Sequence, residues 1–462
     1  MKGLDYLSTP SGIIGEAQKL ASEAFGAERT WFLVNGTTAG IQAAVLSTVA
    51  SPEDTVILSR DCHQSAFSAL VLSGAFPIWV KPEYDEMYQF ASVSTENFRE
   101  TLAKLDKPPS AALVVSPNYF GLCGDISELA RECHDLSIPL LVDEAHGSHF
   151  AFHGDFPCTS LDLGADLVIQ STHKTLSAMT QASMLHTRGS RVNADRICTS
   201  LQILQSSSPN YLLMSSIDAA RAHASLASDY YDAKTPGPSR KFSQLIEDCL
   251  AAKREISLIQ GIEVLGVGGD YENDLRKKGR IDPLRITLCV SDLVGCNGFE
   301  MSSILEDEYG IVSELATDRC IVFIVTLSTT KSDLDKLAFS LREISSRFLA
   351  AAGAQGSSSE MKKSTLDAAF DSTQVMSPRE AFFGEHRRVK IAEAVGMISA
   401  EIVCPYPPGI PILYPGEEIT ENALSYLQTF KADGGYITGC SDTSLKSILV
   451  MNMKKGKLGW GS

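Results

Sequence analysis

Short runs of apolar and β-branched residues recur through the first half of the chain, at residues 31–34, 55–58, 77–80, 112–116, 139–143, 166–170 and 182–187. Between several of them, at 12–25, 39–49 and 126–136, the apolar positions follow a helical pattern instead. Strands that alternate with helices predict a mainly parallel sheet covered on both faces. A ligand of such a sheet sits beyond the carboxyl ends of its strands, so the residues just after each apolar run carry the interest.

The second half reads differently. A long helical stretch at 211–259 precedes a further αβ unit with strands near 284–290 and 320–327. Residues 351–363 (AAGAQGSSSEMKK) are rich in Gly, Ser and Ala and read as a linker. The pattern therefore predicts an α/β chain in three parts. These are a large domain over 1–210, a smaller αβ domain over 211–352 and a C-terminal α+β domain over 364–462, with 353–363 as the linker.

Four strand ends carry polar residues suited to chemistry. Asn35-Gly36-Thr37-Thr38-Ala39-Gly40 follows a strand and opens a helix, where free N–H groups and the helix dipole attract an anion. Taken alone, it reads more simply as a Gly turn with a Thr N-cap. Leu140-Leu141-Val142-Asp143-Glu144-Ala145-His146-Gly147 ends a buried strand on an acid, which is costly without a charged partner. A protonated pyridine nitrogen would serve as that partner; the plain alternative is a carboxylate capping the next turn. Gln170-Ser171-Thr172-His173-Lys174-Thr175 offers an amine that can form an imine with an aldehyde if its pKa falls, or simply a solvated lysine. Arg60-Asp61-Cys62-His63-Gln64-Ser65 offers an imidazole that could stack on a flat heteroaromatic ring, or be a satisfied structural histidine. Taken together, the four ends point to a pocket for pyridoxal 5'-phosphate (PLP). His146, His149 and His153 beside Asp143 and Glu144 raise the question of a metal. The spacing matches no standard zinc arrangement, and Gly147 and Gly154 interrupt any helix, so no metal is expected.

Composition narrows the partners. A net charge of −16 would repel phosphates, which disfavours nucleic acid and acidic membranes and suits a small cationic substrate. The 11 cysteines are scattered with no C-x-x-C pair, as expected of reduced thiols in an intracellular, cytoplasmic protein. No apolar run reaches membrane-spanning length, and the first ten residues lack the features of a signal peptide.

The segments FLVNGTTAGIQAAVLS, SRDCHQSAFSAL, LLVDEAHGSHF and IQSTHKTLSAMTQASMLH resemble the major domain of the Orn/Lys/Arg decarboxylases, PLP enzymes of fold type I. The run Pro405-Tyr406-Pro407-Pro408-Gly409-Ile410-Pro411, with Pro415-Gly416-Glu417 after it, resembles the C-terminal domain of that family. The resemblance implies a seven-stranded, mostly parallel sheet and decarboxylation of lysine, ornithine or arginine to an amine of the kind used in polyamine biosynthesis. It makes Lys174 the Schiff-base lysine and Asp143 the partner of the pyridine nitrogen. His63 would stack on one ring face and Ala145 pack the other, with His146 beside the hydroxyl edge. Gly36, Thr37, Thr38, Ser171 and His173 would surround the phosphate or flank the lysine. Ser207, in the run Ser206-Ser207-Ser208-Pro209, would reach the phosphate of a neighbouring subunit in a homodimer. The distal cation of the substrate needs an acid, for which Glu314 and Glu417 are the candidates.

Family members usually carry a segment ahead of an element like Leu4-Asp5-Tyr6-Leu7, and this sequence starts almost at that element. A truncated form, even a catalytically silent PLP-binding protein, and a location in an organelle such as a plastid therefore stand as alternatives. An aminotransferase or another lyase of the same fold is a further one.

Overall fold

The computed structural model describes residues 5–84, 91–228, 240–268, 279–293, 295–355, 366–406, 409–432 and 434–452. Its centre is a seven-stranded sheet. In chain order the strands are β1 (Arg29–Leu33), β2 (Thr55–Ser59), β3 (Phe76–Val80), β4 (Ala111–Val115), β5 (Leu140–Asp143), β6 (Leu167–Gln170) and β7 (Ser183–Thr187). In space they run β1-β7-β6-β5-β4-β2-β3. β7 is antiparallel to both of its neighbours, and the remaining pairs are parallel.

Alternation along the strands feeds two separate cores. Leu113, Leu141, Leu167 and Ile169 pack with helix α2 (Gly36–Thr48) and helix α3 (Gln64–Ser73), while Val114, Leu140, Val142 and Val168 pack on the other face with Phe98 and Leu129. With both faces covered, the sheet turns its polar residues out only at its ends. α2 lies very close to the sheet. A Cβ placed at Gly40 would stand 2.6 Å from Ile169 and 2.7 Å from Leu33, so only Gly allows that approach.

The second part holds a four-stranded antiparallel sheet of Glu263–Val264, Arg285–Cys289, Cys320–Ile324 and Leu315–Ala316, in that order. The long helical stretch expected at 211–259 contains two helices, Tyr211–Ala227 and Lys241–Ile256. Helix Lys331–Gln355 continues through Ala351–Gln355, into residues expected as linker. Ala is the best helix former, so a run such as Ala350-Ala351-Ala352 extends a helix that already has a packed face. The remainder of the expected linker, together with Pro407 and Pro408 of the C-terminal motif, lies outside the described residues. The C-terminal residues form two two-stranded ribbons and helix Glu421–Ala432 around a core that includes Val403, Leu413, Leu427 and Ile448.

This C-terminal unit is fastened to the end of β2 by a buried cation. Arg60, 2% exposed, donates to the carbonyls of Pro411 (2.8 Å) and Ile412 (2.9 Å) and to Oε2 of Glu417 (3.0 Å), itself fully buried. Its guanidinium lies over the rings of Tyr414 (4.5 Å), Trp79 (5.1 Å) and Phe370 (5.3 Å). The Tyr414 hydroxyl donates to the carbonyl of Cys62 at 3.3 Å. Two residues in this arrangement thus bear directly on the turn that carries His63.

Glu417→Ala would strand the Arg60 charge and should destabilise the protein by about 3–5 kcal/mol, whereas Arg60→Met combined with Glu417→Leu should recover most of the loss. Urea unfolding followed through the fluorescence of Trp79, which stacks on Tyr414 at 4.9 Å, measures both. Equal stability of the single and double variants would refute the pairing.

Candidate active site

The carboxyl ends of β1, β2, β4, β5 and β6 open into one cavity of about 210 Å³. Ten of the eleven residues assigned to the cofactor from the sequence line it: Gly36, Thr37, Thr38, His63, Asp143, Ala145, His146, Ser171, His173 and Lys174. Ser207 does not; it is exposed, in a turn whose Ser206 N–H donates to Asn35 Oδ1 at 3.4 Å.

At the β1 end, Gly36 has φ 74° and starts α2, whose first N–H groups have no intrahelical acceptors. Beside them runs a one-way chain of hydroxyls. Ser183 Oγ donates to the carbonyl of Gln170 (2.6 Å), so it must accept from Thr37 Oγ1 (2.7 Å), which in turn accepts from Ser171 Oγ (2.5 Å). β1, β6 and β7 are thereby locked around the helix N-terminus, which suits an anion.

At the β2 end, His63 caps α3. Its Nδ1 accepts the Ser65 N–H at 3.2 Å, which leaves the proton on Nε2. Burial, with the Lys174 charge nearby, pushes its pKa down to about 4, so the ring is neutral at ordinary pH. Asp61, also on the cavity wall, is buried and accepts from the Ser59 hydroxyl.

At the β5 end, the Asp143 carboxylate accepts the Ala145 N–H at 3.1 Å. Burial raises its pKa, and no cation lies within ion-pair distance of it among the described residues. Lys174 follows β6 on the short helix Thr172–Thr175. Its Nζ lies 3.0 Å from His146 Nε2 and 5.5 Å from the ring centre of Tyr119. Burial and the Arg285 cation lower its pKa, against the pull of Asp143 and Glu314.

A pyridine ring bearing an aldehyde and a phosphate fits this arrangement. Asp143 is a buried acid in want of a cation, Lys174 an amine shifted toward its reactive form, and the α2 turn an anion cradle. Two of the histidines weighed for a metal have side-chain partners within the protein. His149 pairs with Asp282 at 3.1 Å and His153 with Ser243 at 3.1 Å. Glu417 is corrected as a candidate for the substrate's distal cation, since Arg60 and the Tyr414 N–H already occupy it inside the protein. Glu314 is exposed and close enough to act on Lys174, His173 and Arg285. Tyr119, Asp61 and Arg285 went unremarked in the sequence. Tyr119 and Asp61 follow apolar runs and could have been found there, whereas Arg285 opens a strand, with nothing local to mark it.

Residues 1–333 match the family model for the Orn/Lys/Arg decarboxylase major domain, and residues 359–439 match that for its C-terminal domain. An arginine decarboxylase from Halalkalibacterium halodurans is 34% identical over 453 residues, covering 97% of this chain and 87% of that protein. The crystal structure of the Francisella novicida lysine decarboxylase LdcF superposes with TM-score 0.78 at 22% identity, over 98% of this chain and 74% of that one. A serine palmitoyltransferase from S. paucimobilis, solved with PLP and myriocin bound, shares the fold at 14% identity and TM-score 0.53, over 72% of this chain and 77% of that one.

The neutral histidines set an acid limit on stability. His63 at about 4 and His186 at about 3 lie below the ordinary value of about 6.5. Between those values the unfolded chain binds more protons than the folded one, so stability falls as pH drops from about 6.5 toward 4 and 3. His186→Phe should flatten that decline; denaturation midpoints at pH 7 and pH 5 test it, and an unchanged difference between them would count against burial as the cause.

Proposed function

The chain belongs to the Orn/Lys/Arg decarboxylase family and is a decarboxylase of basic amino acids, and from that premise we propose that it removes the α-carboxylate of arginine as CO₂ with PLP as its cofactor. The observation that carries the reading is the convergence of Lys174, Asp143 and the α2 N-terminus on one buried cavity from three separate strands. PLP, when bound, supplies an electron sink for the pair released from the Cα–carboxylate bond. Lys174 would hold it covalently through its amine, and Asp143 would keep the proton on its ring nitrogen. His63 and Ala145 would cover the two ring faces. Thr37, Thr38, Ser171 and His173 would hold the phosphate against the helix dipole. Glu314, outside the buried zone, would attract the distal cation of a long substrate.

The choice of arginine rests on the relatives. Those of about one-third identity include several named arginine decarboxylases, whereas a Pseudomonas aeruginosa protein named lysine decarboxylase is 25% identical. A second copy of the chain completes the reading. Ile13, Leu20, Ile203 and Leu212 are exposed on segments that touch one another, where Gln202 donates to the Ser8 carbonyl and Tyr211 to that of Asp5. Such an apolar surface suits a homodimer, in which Ser207 would meet the partner's phosphate. None of the eleven cysteines is in a disulfide, which suits a reducing intracellular compartment, and no helix among the described residues is long and apolar enough to cross a membrane.

Incubation with PLP and each of arginine, lysine and ornithine, followed by mass spectrometry of the amine, tests the substrate. The product of arginine should dominate, Lys174→Ala should abolish turnover and borohydride-stable attachment of PLP, and product from lysine alone would overturn the choice. Glu314→Gln should raise KM for arginine up to about fivefold, the value of an exposed ion pair of about 0.2–1 kcal/mol. Dilution into the monomer range, followed by sedimentation, should release PLP as copies separate, and full retention of PLP by monomers would count against a shared site.

A further inference from the structure

His146 is 3% exposed, and each of its ring nitrogens faces a basic group. Arg285 Nη2 lies 3.2 Å from Nδ1, and Lys174 Nζ lies 3.0 Å from Nε2. A guanidinium carries donors only and keeps its proton in proteins, so Nδ1 must present its lone pair. A neutral imidazole with a bare Nδ1 carries its one proton on Nε2, and that proton points at Lys174. Nζ can accept it only with a lone pair of its own, as –NH₂. An ammonium would need Nε2 bare, which moves the ring proton to Nδ1 and sets N–H against N–H at Arg285. We propose that Arg285 fixes the tautomer of His146 and through it holds Lys174 as a free amine, ready to attack a carbonyl before any cofactor arrives. The proposal rests on the reading of Lys174 as the attachment point.

The surroundings agree. Burial, then Lys174 and Arg285, then His63 and His173, hold His146 well below its usual pKa, so the imidazolium is disfavoured. Acting on Lys174, Asp143 and Glu314 favour the charged form, as does the Tyr119 ring at 5.5 Å, against burial and Arg285. Arg285 is 1% exposed, and its Nε and Nη1 have no hydrogen-bond partner among the described residues, so the contact to His146 is a defining one for this side chain. Space for it comes from Gly121, at φ +87°, where a Cβ would stand 2.6 Å and 2.7 Å from Arg285 Cβ and Cγ. Arg285 is therefore a positioning residue, contributed by the second sheet to a lysine of the first.

The test uses full-length protein without PLP. Nitrogen NMR of 15N-histidine-labelled protein should show His146 protonated at Nε2 in the wild type and in Arg285→Lys, which keeps a donor-only group, and shifted to Nδ1 in Arg285→Met. Competitive acetylation across pH, read at Lys174 by peptide mass spectrometry, should give a midpoint below that of an ordinary lysine. Arg285→Met should move that midpoint upward by about one unit, roughly tenfold slower labelling at a fixed pH below it. If Arg285 acts through the ring and not by direct repulsion, most of that shift vanishes when His146 is Phe in both proteins. A wild-type His146 protonated at Nδ1 overturns the proposal, as does a shift undiminished without His146. If Arg285→Met fails to fold, the wild-type spectrum decides alone. Borohydride trapping of PLP on Lys174 tests the other reading separately: the wrong tautomer with intact trapping sinks only the relay, and the right tautomer without trapping sinks only the cofactor assignment.

Discussion

A strand covered on both faces can carry a charge only at its end, and even there the charge is far from water. Asp143, Lys174 and His63 all occupy such positions, and burial pushes each toward its neutral form. The same neighbourhood that packs Leu141 and Val142 against helices on either side leaves Asp143 short of a cation and Lys174 short of an anion. Reactivity at the cavity is thus a by-product of how the sheet is buried. A ligand with a basic ring nitrogen and an electrophilic carbon would relieve both groups at once.

Much of this was readable from the sequence because it is local. Each strand end joins an apolar run to a few polar residues within the next ten positions, and a period of two or of 3.6 survives whatever the rest of the chain does. Glu417 shows where that ends. Its acid looked available, but its partner Arg60 stands 357 residues away and nothing beside it signals the pairing. Arg285 escaped notice for the same reason, since its role comes from the meeting of two sheets and not from its neighbours in sequence. Residues 351–355 misled in another way. Their Gly, with the Ser run that follows at 357–359, suggested a break, while the helix leading into them had enough packed surface, at Leu334, Leu337, Leu341 and Ile344, to carry an Ala-rich end.

The three parts of the chain meet around the cavity by different means. The second sheet contributes Arg285 and Glu314, which act on Lys174 through charge and through His146. No described residue of the C-terminal unit lines the cavity wall; the unit holds the turn at Arg60–Cys62 from behind with Tyr414, Glu417 and two carbonyls. Substitutions in the two regions should therefore differ in kind, the first altering proton positions and the second altering where His63 sits.

The Arg60–Glu417 contact also gives the protein a timetable. During synthesis Arg60 emerges long before Glu417, and the intervening 357 residues take roughly 20–70 s to make at about 5–20 residues per second. For most of that interval the first sheet can form while its β2 end still carries a cation with no carboxylate and without two of its three aromatic neighbours, Phe370 and Tyr414, which are made only near its end. The turn that presents His63 is finished last, although it is encoded near the start. A ribosome that stalls late in the message would release chains whose central sheet is complete and whose pocket is not.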